Sequence, residues 1–128
     1  MQDATSLAAA IATGQVTAPM VMEASLAAAD RDAESDSGLG AICRIDAGLG
    51  RKAAADHRPG PFGGVPFLGK DLGSAAAGLP VAAGSAAVLR RLSGPGTDSA
   101  LFARFRAGGL VPFGLTTVPE FGLALTSD

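Results

Sequence analysis

Residues 63–73, GGVPFLGKDLG, contain the strand on which the interpretation of the fold depends. The run VPFLGKDL (65–72) is apolar and bounded by glycines, which predicts a β-strand. Pro66 lies near the start of this strand, where a missing N–H costs least. Side chains alternate between the two faces of a strand, so we expect Lys70 and Asp71 to point in opposite directions.

The same stretch has the glycine and lysine spacing of a phosphate-binding loop, G-x-x-x-x-G-K. That loop needs a Ser or Thr after its lysine to hold magnesium, and it opens a helix. Here Asp71 follows Lys70, and no clear helix start comes after it. The sequence therefore argues against a phosphate site.

Two interpretations of Lys70 remain open from the residues alone. In an apolar wall without a local counter-charge, desolvation lowers the pKa of a lysine from about 10.4 and makes it a possible general base. At the end of a strand, a lysine instead extends its ammonium group into water. The composition of the stretch favours the second interpretation, because lysines are seldom fully buried.

Helices and strands alternate on both sides of this strand. Helices are predicted at 5–13, 17–31, 47–57, 85–92 and 98–108, and further strands at 41–46 and 110–117. We expect Thr5 or Ser6 to cap the first helix, and Asp98 or Thr97 to cap the last. The alternation predicts an α/β fold with a partly parallel sheet.

Composition limits the class of protein. The 128 residues are 48% hydrophobic and 17% charged, which argues against disorder. The net charge of −2 gives no sign of a nucleic-acid partner. No apolar stretch is long enough to span a membrane, and the single cysteine fits a reducing compartment. These features predict a soluble, cytoplasmic protein.

Cys43 and His57 are further candidate site residues. Cys43 follows Ile42 in a predicted strand, which favours a small buried side chain over a nucleophile. His57 has no metal-ligand partner at motif spacing, so we expect a surface histidine and no metal site.

Several ordered motifs resemble the N-terminal part of the amidase signature family. The segment GPFGGVPFLGKDLG is similar to the family pattern G-[IV]-P-x-x-x-K-D, and GLPVAAGS (78–85) is similar to G-L-P-x-x-x-G-S. DSALFARFRAGGLVPFGLTTVPEFG (98–122) resembles the helix, strand and P-E-F segment that follow in the family. One departure is Leu115, where the family usually has a lysine, and we expect it to affect packing or surface only.

The resemblance implies the N-terminal part of an α/β/α sandwich with a mixed central sheet, preceded by two helices. It divides the chain into N-terminal helices at 1–36 and the first part of the catalytic domain at 37–128. It implies amide hydrolysis by a Ser–cis-Ser–Lys triad through an acyl-enzyme, with Lys70 as the catalytic base. Both serines are expected downstream of residue 128, so the chain alone is expected to be inactive.

The resemblance also suggests substrate-binding residues and partners. Glu120 either lines a substrate pocket or caps the next helix, and the residues leave both open. Leu123 and Thr126 are expected near the acyl pocket by analogy, although a core leucine and a loop threonine are plainer alternatives. The expected partners are a small-molecule amide and the protein's own C-terminal segment, with a homodimer as a further option, and with no cofactor and no membrane. The stretch GPFGGVPFLGKDL resembles the branch that acts on cyclic amide oligomers. A truncated, non-catalytic module with an interaction or structural role is the alternative function.

Overall fold

The computed structural model describes residues 3–34, 38–91 and 93–126. In chain order its elements are α1 (Ala4–Ala12), α2 (Ala18–Glu34), β1 (Ile42–Ile45), α3 (Ala47–Ala55), β2 (Pro66–Lys70), α4 (Ala86–Leu89), α5 (Ala100–Ala107), β3 (Val111–Thr116) and a 3-10 turn at Glu120–Gly122. Each predicted helix and strand occurs at its expected place, although most are shorter than predicted. The predicted end of the fourth helix, Leu92, lies outside the described residues.

The three described strands form one mixed sheet in the order β1-β3-β2. Strand β3 is central, antiparallel to β1 and parallel to β2. The parallel pair is joined by the long connection that contains α4 and α5, as parallel strands require. The prediction of a partly parallel α/β sheet is therefore confirmed, and Lys70 pairs with Thr116 at the end of the β2–β3 ladder.

Two apolar clusters form the core. The first joins α2 and α3 to the sheet, and its buried residues are Ala18, Met22, Leu26, Ala54, Val111 and Phe113. The second contains Ala76, Leu79, Phe102 and Leu115. The register of β2 on β3 skips Phe113, and this β-bulge explains how Phe113 and Leu115 reach different clusters. Because Leu115 is fully buried, its departure from the family pattern is one of core packing.

Two predicted helix caps are wrong. The α1 cap is Asp3, whose carboxylate accepts a hydrogen bond of 2.7 Å from the Ser6 amide. The α5 cap is Ser99, whose hydroxyl accepts from the Phe102 amide at 3.4 Å. Asp98 is not free to cap this helix, because its carboxylate is already bonded to Ala77 and Arg106. The next residue, Ser99, therefore caps the helix in place of Asp98.

Candidate functional site

Lys70 is the last residue of β2, and its side chain is exposed. Among the described residues, the ion pairs join Arg51 to Glu23 and Arg106 to Asp98, so no described carboxylate neutralises Lys70. Lys70 is thus the exposed lysine at a strand end that the composition favoured, and it has no counter-charge among the described residues. Asp71, the next residue, follows the end of β2 and is 3% exposed, so its environment differs from that of Lys70.

A groove of about 430 Å³ runs beside Lys70. One wall is aromatic: Phe67, Phe102 and Phe105 pack against one another with ring centroids 4.9 to 6.2 Å apart. Two of the three ring pairs are edge-to-face, an arrangement that aromatic side chains prefer. The groove therefore offers an apolar surface that ends at an ammonium group.

Two hydroxyl groups line the same groove. Thr116 Oγ1 donates to the carbonyl of Gly69 at 3.2 Å, which ties the end of β3 to the strand end that carries the lysine. Ser74 is half-buried and follows Lys70 by four residues. Neither hydroxyl is hydrogen bonded to Lys70 in the structure. The Lys70 side chain is therefore open to groups that approach along the open side of the groove.

The Asp71 carboxylate holds the loop at residues 82–84, which lies in the segment of small residues between β2 and α4. One carboxylate oxygen accepts from the Ala82 amide at 2.7 Å and the other accepts from the Gly84 amide at 3.0 Å. A buried carboxylate is costly unless it is well bonded, and these are charge-assisted bonds. The sequence predicted no role for Asp71. A charged residue directly after an apolar strand was the signal that could have pointed to buried hydrogen-bond partners.

Two more charged side chains hold the same segment. Asp98 accepts from the Ala77 amide at 2.7 Å and from Arg106 Nε at 2.7 Å. An Arg44 Nη1–H donates to the carbonyl of Pro80. The sequence contained no spacing signal for the contacts to Ala77 and Pro80, since each joins residues far apart in the chain. Together with Asp71, Asp98 and Arg44 hold residues 77–84, which are mostly alanine and glycine and have little side-chain volume to pack.

Glu120, Leu123 and Thr126 are all exposed, and none lines the groove beside Lys70. Glu120 begins the 3-10 turn that follows β3. This turn is nonetheless close to the end of β2, because a Cβ added at Gly122 would lie 3.0 Å from Leu72 Cδ2. Their role in substrate binding stays a prediction.

Cys43 is exposed, so the prediction of a buried cysteine is wrong. The register of β1 on β3 shifts at this residue, and the shift turns Cys43 out of the core. Its thiol still contacts the Leu115 carbonyl at 3.4 Å. Partial burial of the sulfur, and then the negative charge of Asp71, raise the pKa of the Cys43 thiol. A thiol with a raised pKa is a poor nucleophile at neutral pH.

His57 is half-buried rather than on the surface, and its Nδ1 lies 2.9 Å from the Ala54 carbonyl. The described residues contain no cluster of three His, Cys, Asp or Glu side chains suited to a metal ion. Among the helices that the structure describes, none combines the length and the apolar character needed to cross a bilayer.

The sequence comparisons agree on one family. Residues 22–128 match the Amidase family. A glutamyl-tRNA(Gln) amidotransferase subunit from Salinispora arenicola (strain CNS-205) is 34% identical over 143 residues, which cover 100% of this chain and 28% of the relative. The corresponding protein of Mycolicibacterium vanbaalenii is 32% identical over 98% of this chain and 27% of the relative. The chain thus spans about a quarter of the length of these relatives.

Solved structures show the same fold. A structure of 6-aminohexanoate cyclic dimer hydrolase complexed with substrate is similar with a TM-score of 0.86 and 27% identity, covering 99% of this chain and 26% of that chain. A bacterial aryl acylamidase of the amidase signature enzymes is similar with a TM-score of 0.82 and 25% identity, covering 99% of this chain and 27% of that chain. The resemblance first suggested by the motifs around Lys70 and P-E-F is confirmed: this chain belongs to the amidase signature family.

Proposed function

We propose that this chain contributes the general base of an amide hydrolase, and that Lys70 is that base. The observation that carries the proposal is the position of Lys70 in a member of the amidase family. Lys70 ends β2, lines an apolar groove and forms no ion pair with a described carboxylate. The exposed side chain is open to a hydroxyl group from a segment outside residues 1–128.

The proposed reaction follows the triad that the family resemblance implies. Neutral Lys70 takes a proton from a bridging serine, which takes the proton of a nucleophilic serine. The nucleophile forms a bond to the amide carbonyl carbon, the C–N bond breaks, and the proton returns through the bridge to the leaving amine. Water then repeats the transfer and releases the carboxylic acid. In this proposal both serines come from outside residues 1–128, so the chain alone is inactive.

The proposed substrate is a small-molecule amide, with no nucleic acid and no cofactor. The aromatic wall beside Lys70 suits an apolar acyl or alkyl portion. The similar structure of a cyclic dimer hydrolase supports an amide of low charge as the first compound to test. Glu120, Leu123 and Thr126 are the proposed substrate-binding residues, and we place the enzyme in the cytoplasm on the strength of its single cysteine.

Substitution of Lys70 in a protein that contains the whole catalytic domain tests the proposal. Lys70→Ala removes the base, and Lys70→Arg keeps the charge but removes a group that can be deprotonated. Both variants are expected to lower kcat by at least about a hundredfold, the typical contribution of a general base. Lys52→Ala is the matched control, because Lys52 is also exposed but lies on α3.

Hydrolysis is followed as release of the amine from a neutral carboxamide. Near-normal kcat in either Lys70 variant contradicts the assignment. Loss of activity in Lys70→Ala with full activity in Lys70→Arg assigns the residue a charge role and contradicts the role as base.

A non-catalytic interaction module is the second candidate function. It is favoured by the exposure of large apolar side chains, since Leu39, Leu123 and Leu125 are 88%, 87% and 105% exposed. Exposed apolar side chains that cluster mark an interaction surface. The proposed partners of this surface are a C-terminal segment of the same protein or a second copy of the chain. Gel filtration separates the candidates: a stable monomer that binds no catalytic C-terminal segment supports the module, whereas recovery of amidase activity on adding that segment supports the enzyme.

A further inference from the structure

The Asp71 carboxylate is the first link in a chain of contacts that reaches from the end of β2 to the 3-10 turn. Its two oxygens accept from the amides of Ala82 and Gly84, at 2.7 and 3.0 Å. Both donors belong to the backbone of one short loop, so the carboxylate fixes the orientation of the 81–82 and 83–84 peptide units, which flank the Ala82–Ala83 peptide. Charge-assisted bonds in a buried setting hold such an orientation firmly.

The loop that Asp71 holds has an unusual backbone conformation. Ala83 has a φ of 53° and Gly84 a φ of 71°, both in the left-handed region. An alanine there is strained and keeps that conformation only where its surroundings enforce it. The two Asp71 hydrogen bonds contribute to that enforcement, together with the bond of 3.0 Å that the Ser85 amide donates to the Ala82 carbonyl.

The loop in turn supports the 3-10 turn. The carbonyl of Ala83 accepts a hydrogen bond of 2.8 Å from the amide of Phe121, which also has a positive φ, 51°. Gly84 lies against the backbone just before this turn, because a Cβ added there would be 2.6 Å from the Val118 carbonyl oxygen. The bond to Ala83 is therefore one of the contacts that hold Phe121 in its strained conformation, beside the turn's own bond from the Gly122 amide to the Pro119 carbonyl.

The contacts then return to the end of β2. The turn packs on Leu72, since a Cβ added at Gly122 would lie 3.0 Å from Leu72 Cδ2. Leu72 also lines the groove beside Lys70. The end of β2 (residues 70–72), the loop at 82–84 and the 3-10 turn therefore form a closed circuit of contacts. Among the described residues, Asp71 is the only buried charged residue of this circuit.

We propose that Asp71 is a positioning residue that fixes the 3-10 turn at Glu120–Gly122 relative to Lys70. It acts through the loop at 82–84 and does not touch the reacting atoms. This inference deepens the proposed function and rests on it, because the turn begins with a proposed substrate-binding residue and Lys70 is the proposed base. In an amide hydrolase, Asp71 would set the distance between the base and the side of the pocket that the turn forms.

Nuclear magnetic resonance on the chain of 128 residues tests this inference without any activity measurement. In the unsubstituted chain we expect scalar couplings across two hydrogen bonds, from the Ala82 amide to the Asp71 carboxyl carbon and from the Phe121 amide to the Ala83 carbonyl carbon. Absence of both couplings overturns the proposal, and this measurement needs no variant to fold.

Asp71→Asn is the variant that breaks the circuit with little change of shape. Its amide nitrogen would place a donor against a backbone donor, so at least one of the two bonds is lost. We expect upfield shifts of the Ala82 and Gly84 amide protons and hydrogen exchange of the Phe121 amide faster by about tenfold or more, as local opening of the turn. Exchange at Asp46 and Thr117, whose amides bond the Phe113 and Ala41 carbonyls in the β1–β3 region, should not change.

Asp98→Asn is the matched control, because Asp98 also anchors a backbone amide of the same segment, that of Ala77. It is expected to leave exchange at Phe121 unchanged. Unchanged exchange at Phe121 in Asp71→Asn, or equal acceleration at Asp46 and Thr117, overturns the positioning role. A failure of the Lys70 assignment would appear only in turnover, so the two results can be told apart.

Discussion

At the scale of single residues, Gly84 and Gly14 have nearly the same backbone conformation but different surroundings. Their φ angles are 71° and 73°. A Cβ added at Gly84 would lie 2.6 Å from the Val118 carbonyl oxygen, whereas nothing lies within 4 Å of one added at Gly14. The pair therefore separates the cost of left-handed backbone from the cost of close approach between two backbone segments.

Gly84→Ala should destabilise the chain more than Gly14→Ala. Both substitutions cost roughly 1–2 kcal/mol for a side chain in the left-handed region. Gly84→Ala must also displace backbone, which adds about 1–3 kcal/mol of overpacking. Urea unfolding followed by circular dichroism measures both free energies. Equal losses for the two variants would show that the loop at 82–84 does not press on the segment at 118–120.

Cys43 combines an exposed residue with a pKa raised above its ordinary value. Desolvation of the sulfur is the larger cause and the Asp71 charge the second, and both disfavour the thiolate. The rate of alkylation by iodoacetamide should therefore rise with pH at higher values than for a free thiol of pKa about 8.5. Asp71→Asn removes the second cause and should move the profile to lower pH. A profile that coincides with that of glutathione in the same buffer would count against both causes.

At the scale of elements, the most informative contact is the one between α3 and the sheet. Gly50 lies in α3 although glycine weakens a helix interior. A Cβ added there would be 2.7 Å from Phe113 Cβ and 3.0 Å from Met22 Sδ. The glycine is therefore needed for the close approach of α3 to β3 and α2, which the periodicity of the helix did not reveal.

Gly50→Ala and Gly48→Ala should have opposite effects on stability. At Gly48, in the same helix, the nearest atom to an added Cβ is Asp46 Oδ1 at 3.5 Å, an ordinary contact. Gly48→Ala should stabilise by about 0.5–1 kcal/mol through better helix propensity. Gly50→Ala should destabilise by about 1–3 kcal/mol through overpacking. Thermal unfolding of the two variants decides the point, and stabilisation by Gly50→Ala would contradict the packing described for α3.

The existence and order of the elements were predictable because each has a local signal. Runs of helix-forming residues, with Gly14 and Gly108 at helix ends, placed the helices. Features that depend on contacts distant in sequence were not predictable. Asp98 resembled an N-cap from its position, but its partners at Ala77 and Arg106 decided its role. The shift of register that exposes Cys43 is likewise a property of the β1–β3 pair.

The candidate site was likewise predictable only where it depends on residues that are close in sequence. The strand that carries Lys70 was predicted correctly, since it follows from a local run of apolar residues. The link from Asp71 to residues 82–84 and on to Phe121 depends on how three loops meet. No period or spacing in the sequence encodes such a meeting.

At the scale of the whole molecule, the question is whether residues 1–36 and 37–128 behave as separate units. That boundary stays a prediction. The first core cluster crosses it, because Ala18, Met22 and Leu26 of α2 pack with Ala54, Val111 and Phe113. A shared core of this kind favours cooperative unfolding of the chain as one unit.

Met22→Ala should therefore destabilise the entire chain and not α2 alone. Met22 is fully buried, and truncation of a buried methionine costs about 2–5 kcal/mol. Met20→Ala is the control, because Met20 lies on the same helix and is 61% exposed. Urea unfolding is followed by circular dichroism, which reports the helices, and by loss of the β3 amide signals. If α2 shares the core, both probes shift together to lower urea in Met22→Ala and neither shifts in Met20→Ala. An early loss of helix signal with an unchanged transition at β3 would instead show that α2 unfolds separately, and the boundary after residue 36 would then divide two folding units.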